Sequence, residues 1–244
     1  MFWSVLYTEL RKYKRSFIPL MAVIAGFLTA STAILIAAAP SSKLSWDVIA
    51  VTGLNCLNPL SLLLVAVFSG YAFAFEYADG SISTLFTYPI PRLFIYMAKL
   101  VIILILTIFL YFAFFLSSMF LGVLNIGKLP DLELFAKFFK VTAIVCCVNF
   151  ILVPVTVLIT NLIKAAGTYI LTGIGYFIVY IIFINTKYSL FLPTCIPDKL
   201  VSTFLIVASI DRAEFKQIII VCSVIFVSAF IAGAVQYSKS DVYK

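Results

Sequence analysis

The stretch Glu76-Tyr-Ala-Asp-Gly-Ser-Ile-Ser-Thr-Leu-Phe-Thr-Tyr-Pro-Ile-Pro-Arg-Leu-Phe-Ile-Tyr-Met-Ala-Lys99 separates two long uncharged runs, Val48–Phe75 and Leu100–Gly127. It gathers Glu76, Asp79, Arg92 and Lys99 into one loop's length. Asp79 and Ser81 can cap a short helix, because their side-chain oxygens accept from the first free backbone N–H groups. Pro89 and Pro91 end it, since proline lacks a donor and drives its predecessor out of the helical region. Ile82, Leu85 and Phe86 then share one face, which lies bare beyond the apolar runs unless headgroups or a partner cover it. Both alternatives stay open on pattern alone.

Outward from this loop the chain is overwhelmingly apolar. Of 244 residues 64% are hydrophobic and 11% charged, and the mean hydropathy is +1.18. Soluble domains carry about 25% charged residues, so the composition specifies an integral membrane protein. The charges fall between six uncharged runs: Ser16–Ser42, Val48–Phe75, Leu100–Gly127, Val141–Ile163, Ala165–Thr186 and Gln217–Ser238. Each exceeds the roughly 20 residues that carry a helix across the hydrocarbon, which predicts six transmembrane helices in an all-α fold. The roughly ten-residue alternating segments of a β-barrel do not occur. The first run is of full length and is read as a span rather than a cleaved leader.

Ahead of it, Phe2, Leu6, Leu10, Tyr13 and Phe17 recur at steps of four and three, opposite Arg11, Lys12 and Arg15. That pattern predicts an amphipathic helix over residues 1–16, lying on the membrane surface. The alternative is a plain basic flank. Arg11, Lys12, Lys14 and Arg15 put the N-terminus in the cytoplasm, and six spans return the C-terminus to that side of the plasma membrane. The net charge of +7 is then matched to anionic lipid rather than nucleic acid. Residues 186–216 form the longest external segment, apolar yet broken by Pro193, Pro197, Asp198 and Lys199, and fit a re-entrant hairpin before span six.

Several chemistries are excluded. There is no histidine, which removes Ser-His-Asp, Cys-His and His-Glu-x-x-His sites. The five cysteines are odd in number and lack Cys-x-x-Cys spacing, arguing against disulfides and a metal site. Gly122 to Lys128 imitates a phosphate-binding loop, but Leu129 stands where the magnesium ligand Ser or Thr belongs. Thus no catalytic residue, metal or cofactor is expected on this chain. No run holds a charge near its centre, so a coupling ion has no carboxylate to bind there. The polar candidates for a substrate path are Asn55, Asn58, Asn149, Tyr71 and Tyr176, and the amides serve equally as packing glue between helices. Gly173 and Gly175 are expected to allow close helix approach.

Glu9-Leu10-Arg11-Lys12 with Lys14-Arg15-Ser16, the six-run layout, and Glu76-x-x-x-Gly80 continuing to Pro91-Arg92 and Lys99 together carry a resemblance. The chain resembles permease subunits of type-2 ABC exporters, especially the small permeases of bacitracin and lantibiotic immunity and of phenol-soluble modulin export. Gly80-Ser81 departs from the Gly-Thr frequent there. The resemblance implies an N-terminal elbow helix, an external re-entrant hairpin and a single permease domain over 1–244. It also implies a cytoplasmic coupling loop over 76–99, with Glu76, Gly80, Ile82, Leu85, Phe86, Arg92 and Lys99 meeting a separate ATPase that holds ATP and magnesium. A second permease copy or paralogue would complete the transporter, and membrane-active peptides would be exported for secretion or self-immunity. The alternative is a self-contained channel or facilitative carrier.

Overall fold

The computed structural model describes residues 2–13, 16–38, 44–78, 91–163, 167–207 and 212–239, without the side chains of 74–78, 207 and 239. The elements run α1 (Phe2–Tyr13), α2 (Ile18–Ala37), α3 (Trp46–Ala78), α4 (Arg92–Ile126), α5 (Leu132–Phe150), α6 (Leu152–Ile163) and α7 (Thr168–Phe183). There follow a 3₁₀ turn (Ser189–Phe191), the short α8 (Ile196–Val201), a π turn (Ser202–Val207) and α9 (Arg212–Lys239). No strand occurs among the described residues.

Five helical stretches are long and apolar enough to cross a membrane: Ile18–Ala37, Trp46–Phe73, Arg92–Ile126, Leu132–Ile163 and Arg212–Ser238. Thr168–Phe183 is apolar but shorter, at 16 residues. The fourth stretch bends at Ile151, where α5 gives way to α6. Pro154 explains the break, because it has no N–H to return to the carbonyl of Phe150 four residues earlier.

Helix bounds redraw the loop from which the sequence reading starts. The backbone of α3 stays helical to Ala78, and α4 begins at Arg92, directly after Pro91. Only 79–91 separates the two helices, and the proposed short helix with Gly80, Ile82, Leu85 and Phe86 lies outside the described residues, as does the Glu76 side chain. With 35 residues, α4 extends about 52 Å, well beyond the hydrocarbon thickness. At its far end Gly127 takes φ 75° and closes the helix, its N–H donating to Val123 O. Gly122 abuts the Trp46 ring, and Trp46 Nε1 donates to Lys128 O at 3.2 Å. The glycines that imitate a phosphate loop therefore belong to a helix end and its seam with α3.

The two longest helices form the centre. α3 touches α2, α4, α5, α6, α7 and α8, burying Leu54, Leu57, Leu62, Val65 and Phe68. α2 packs most extensively on α4, and α6 and α7 cover other sides of the pair. α9 lies on α6 and leaves Ile219, Ile220, Val224, Val227 and Ile231 half exposed, which in a membrane protein is a lipid or subunit face. α1 packs on α4 through Val5, Leu6 and Tyr13, while Leu10 and Phe17 are exposed. That corrects the expected apolar face by one position: Glu9 is buried where Leu10 was expected, its charge met by Lys12 in an ion pair.

Helices without a hydrophobic difference from lipid associate by close packing, for which small residues are needed. Gly26 of α2 meets backbone directly, since a Cβ there would stand 2.8 Å from the backbone N of Phe114 in α4, and a Cβ on Gly70 of α3 would overlap Tyr169 Cβ of α7. Gly173 likewise admits Ala66 of α3, at 3.1 Å from such a Cβ, whereas Gly175 has nothing within 4 Å. Of the two span glycines read from sequence, one is a contact and the other is not. Gly26→Ala is therefore expected to destabilise the chain by about 1–3 kcal/mol, the range for overpacking a closed contact. Gly175→Ala should be neutral or slightly stabilising, because alanine is the better helix former. Thermal unfolding of both variants in the same detergent checks the contrast.

Candidate functional site

An amide buried among apolar helices must find partners, and three helices converge to supply them. Asn58 and Ser61 come from α3, Tyr111 from α4 and Asn149 from α5, and all four are buried. Asn58 stands about 18 Å along α3 from its start, deep in the span. Asn149 Nδ2 donates towards Asn58 Oδ1 (3.2 Å), Ser61 Oγ (3.1 Å) and Tyr111 Oη (2.5 Å). Tyr111 Oη passes its proton direction on to Ser61 Oγ at 3.1 Å, and Ser61 Oγ donates to the Asn58 carbonyl at 2.7 Å. The donor directions thus run consistently from α5 through α4 into the backbone of α3.

The fourth participant comes from the segment between α7 and α9. Asn58 Nδ2 donates to the Thr194 carbonyl at 3.3 Å, tying the turn before α8 into the same cluster. Four residues on, Tyr180 of α7 donates to Asp198 Oδ2. Cys195 is wholly buried between them, its thiol directed at the Tyr180 carbonyl. Two acceptors remain open: neither Asn149 Oδ1 nor Asp198 Oδ1 receives a hydrogen bond from a described residue. An unmet buried acceptor costs about 1–3 kcal/mol, so the cluster holds two oxygens poised for a donor.

This cluster contains Asn58 and Asn149 from the sequence-derived path and separates the other three. Asn55 is exposed, on the outer side of α3. Tyr71 packs edge-to-face on Tyr13 of α1, with ring centroids 5.7 Å apart. Tyr176 pairs with Thr156 at 3.0 Å, joining α7 to α6. Ser61, Tyr111 and Asp198 were missed. Hydroxyls are common in apolar helices and gave no signal. Asp198 was assigned to an external break, although its place in an otherwise apolar run was a sign that it had to be buried with a partner. The expectation that no apolar run holds a charge near its centre is a separate matter, because Asp198 lies between the runs and is half-buried beside Tyr180.

The expected docking residues are also divided. Arg92 Nη1 donates to Ser238 O in the last turn of α9 at 3.0 Å, where a cation complements the helix's negative end. Lys99 is 1% exposed rather than at a surface. Its ammonium donates to Ala72 O of α3 at 2.6 Å and lies 4.9 Å from the Phe73 ring centre. The reason is register: two turns into α4, its face looks at α3. Glu76, Gly80, Ile82, Leu85 and Phe86 lie outside the described side chains.

If the amide cluster fixes the register of α3, α4 and α5, Asn149→Ala should destabilise the chain by about 1–3 kcal/mol, through the acceptors it strands. Tyr111→Phe should cost less, since one hydroxyl is lost. The Asn149→Ala and Asn58→Ala effects should be non-additive in a double-mutant cycle of thermal unfolding.

Among curated proteins none matches the chain. The sequence pattern of the ABC-2 family transporter proteins, however, matches residues 5–185, from within α1 to the end of α7. This match spans the helices that build the amide cluster, together with the interval between α3 and α4. The chain therefore belongs to the ABC-2 transporter family, as a membrane-spanning permease component of an ABC transporter.

Proposed function

We propose that this permease exports membrane-active amphipathic peptides, in toxin secretion or self-immunity, with energy from a separate cytoplasmic ATPase. The observation that carries the transporter part is the family match over residues 5–185. An ABC permease needs an ATPase partner, and ATP with magnesium belongs on that partner. The interval at 79–91, at one end of the α3–α4 pair, is the contact we assign to it, with Leu85 and Phe86 as its apolar anchors. Arg92 and Lys99 hold the root of that interval by fixing α4 to α9 and α3.

In this reading the chain crosses the membrane six times with both termini inside. Thr168–Phe183 is the short sixth crossing, and residues 186–207 form an external hairpin turned back into the bundle. The contact of Asn58 with Thr194 supports that depth, because Asn58 lies well inside α3. α1 is the elbow helix at the cytoplasmic surface. A second copy or paralogue would cover the outer side of α3, where exposed Asn55 offers an amide to a shared path. An amphipathic peptide already seated in a leaflet needs hydroxyls, amides and aromatic rings along such a path more than fixed charges.

A strain lacking this chain is expected to lose tolerance to a membrane-active peptide, or to retain one it normally secretes. Complementation should require both this chain and a hydrolysing ATPase. Leu85→Asp or Phe86→Asp should abolish complementation while the protein still reaches the membrane, because an unpaired charge in a buried contact is strongly unfavourable. Unchanged susceptibility and secretion across a broad peptide panel would eliminate peptide export. Full co-purification of the Asp variants with an active ATPase would move the contact elsewhere.

A further inference from the structure

A cavity of about 230 Å³ opens where the turn after α7, α8 and the first turns of α9 meet. It is separate from the amide cluster and carries charge of both signs: Lys187, Lys199 and Glu214 line it. None of the three forms an ion pair with a described residue, among which the ion pair is Lys12 with Glu9. The Lys187 ammonium lies 5.2 Å from the Tyr188 ring centre, which steadies it without neutralising it. Ser189 also lines the cavity and is 2% exposed, and its hydroxyl makes no hydrogen bond with a described residue. Residues carrying two ammonium groups, a carboxylate and an uncommitted hydroxyl therefore line one small space.

Thr186 and Thr203 add hydroxyls to the lining, and Leu190, Leu200 and Ile218 give it an apolar side. Phe215 and Ile219, flanking the cavity residues on α9, are 41% and 50% exposed. The volume lies below the about 300–1,000 Å³ of sites that enclose a drug-sized ligand, so a headgroup fits and a peptide does not. A ligand matched to this lining has an anionic group for the lysines, a cationic group for Glu214, and an apolar continuation along α9. We propose that this cavity binds the zwitterionic headgroup of a membrane phospholipid, its phosphate between Lys187 and Lys199 and its amine at Glu214, with the acyl chains lying against α9. Lysine suits the phosphate as a mobile point charge, and Ser189 can donate to a phosphate oxygen. The carboxylate supplies selectivity, because it repels a headgroup that is only anionic.

The test uses the purified full chain in detergent, titrated with monomeric dihexanoyl-phosphatidylethanolamine, and with dihexanoyl-phosphatidylglycerol and glycerophosphoethanolamine as comparisons. The phosphatidylethanolamine should bind saturably and about tenfold or more tighter than either comparison. Lys187→Gln combined with Lys199→Gln should abolish that binding. Glu214→Gln should remove the preference over phosphatidylglycerol while leaving phosphatidylglycerol binding intact or stronger. Circular dichroism verifies that the variants stay helical. Equal affinity for phosphatidylglycerol in the unaltered chain, equal affinity for the chain-free headgroup, or binding indifferent to the lysine pair would each overturn the proposal.

Discussion

The bundle depends on the buried amide of Asn149. Apolar helices in an apolar solvent gain little from one rotation or shift over another, because lipid tails satisfy their side chains about as well as protein does. Polar atoms break that degeneracy, since they must find partners at fixed distances and angles. Here one amide requires Asn58, Ser61 and Tyr111 to arrive together from two other helices. Because Asn58 in turn reaches Thr194, the same constraint extends to the segment between α7 and α9.

Close packing then supplies the area over which that register is worth holding. The α2–α4 contact closes at Gly26 and the α3–α7 contact at Gly70, each a place where the neighbouring helix leaves no room for a methyl group, while Gly173 keeps the α3–α7 seam tight. Toward the 79–91 interval, α3 and α4 are fastened by the buried ammonium of Lys99 on Ala72 O, and α4 is fastened to α9 by Arg92 on Ser238 O. Toward the opposite end, Trp46 clasps Lys128 O. The pair is thus joined at both ends and at its middle. In the proposed transporter, it provides a rigid connection between the ATPase contact and the hairpin next to the amide cluster.

Much of this was legible in the sequence, and the reasons for the failures are specific. Uncharged runs located the apolar helices because every backbone polar group in hydrocarbon must be bonded within its own segment. Their ends were less visible: α4 begins eight residues before the run that announced it, since Arg92 and Lys99 find a helix end and a carbonyl as partners. The face of α1 was displaced because a buried Glu9 is invisible to a hydrophobic pattern when Lys12 neutralises it. Asn58 and Asn149 were recognisable as polar exceptions. That they meet each other, while Asn55 turns outward, depends on helix rotation that composition alone does not encode. Asp198 was hidden by the opposite error, since a charged residue beside two prolines resembles a solvent loop.

The most direct test of the account is the reactivity of Cys195, which adjoins the carbonyl that Asn58 holds and is fully buried. In a chain with its other four cysteines replaced by serine, alkylation by a small maleimide should be slow in the folded protein and rapid after denaturation. Asn58→Ala should accelerate the folded-state reaction by about tenfold or more, by releasing a hydrogen bond worth about 1–3 kcal/mol with its stranded partner. Fast alkylation of the unaltered fold, or a rate indifferent to Asn58, would contradict the claim that the amide cluster holds this segment in the bundle.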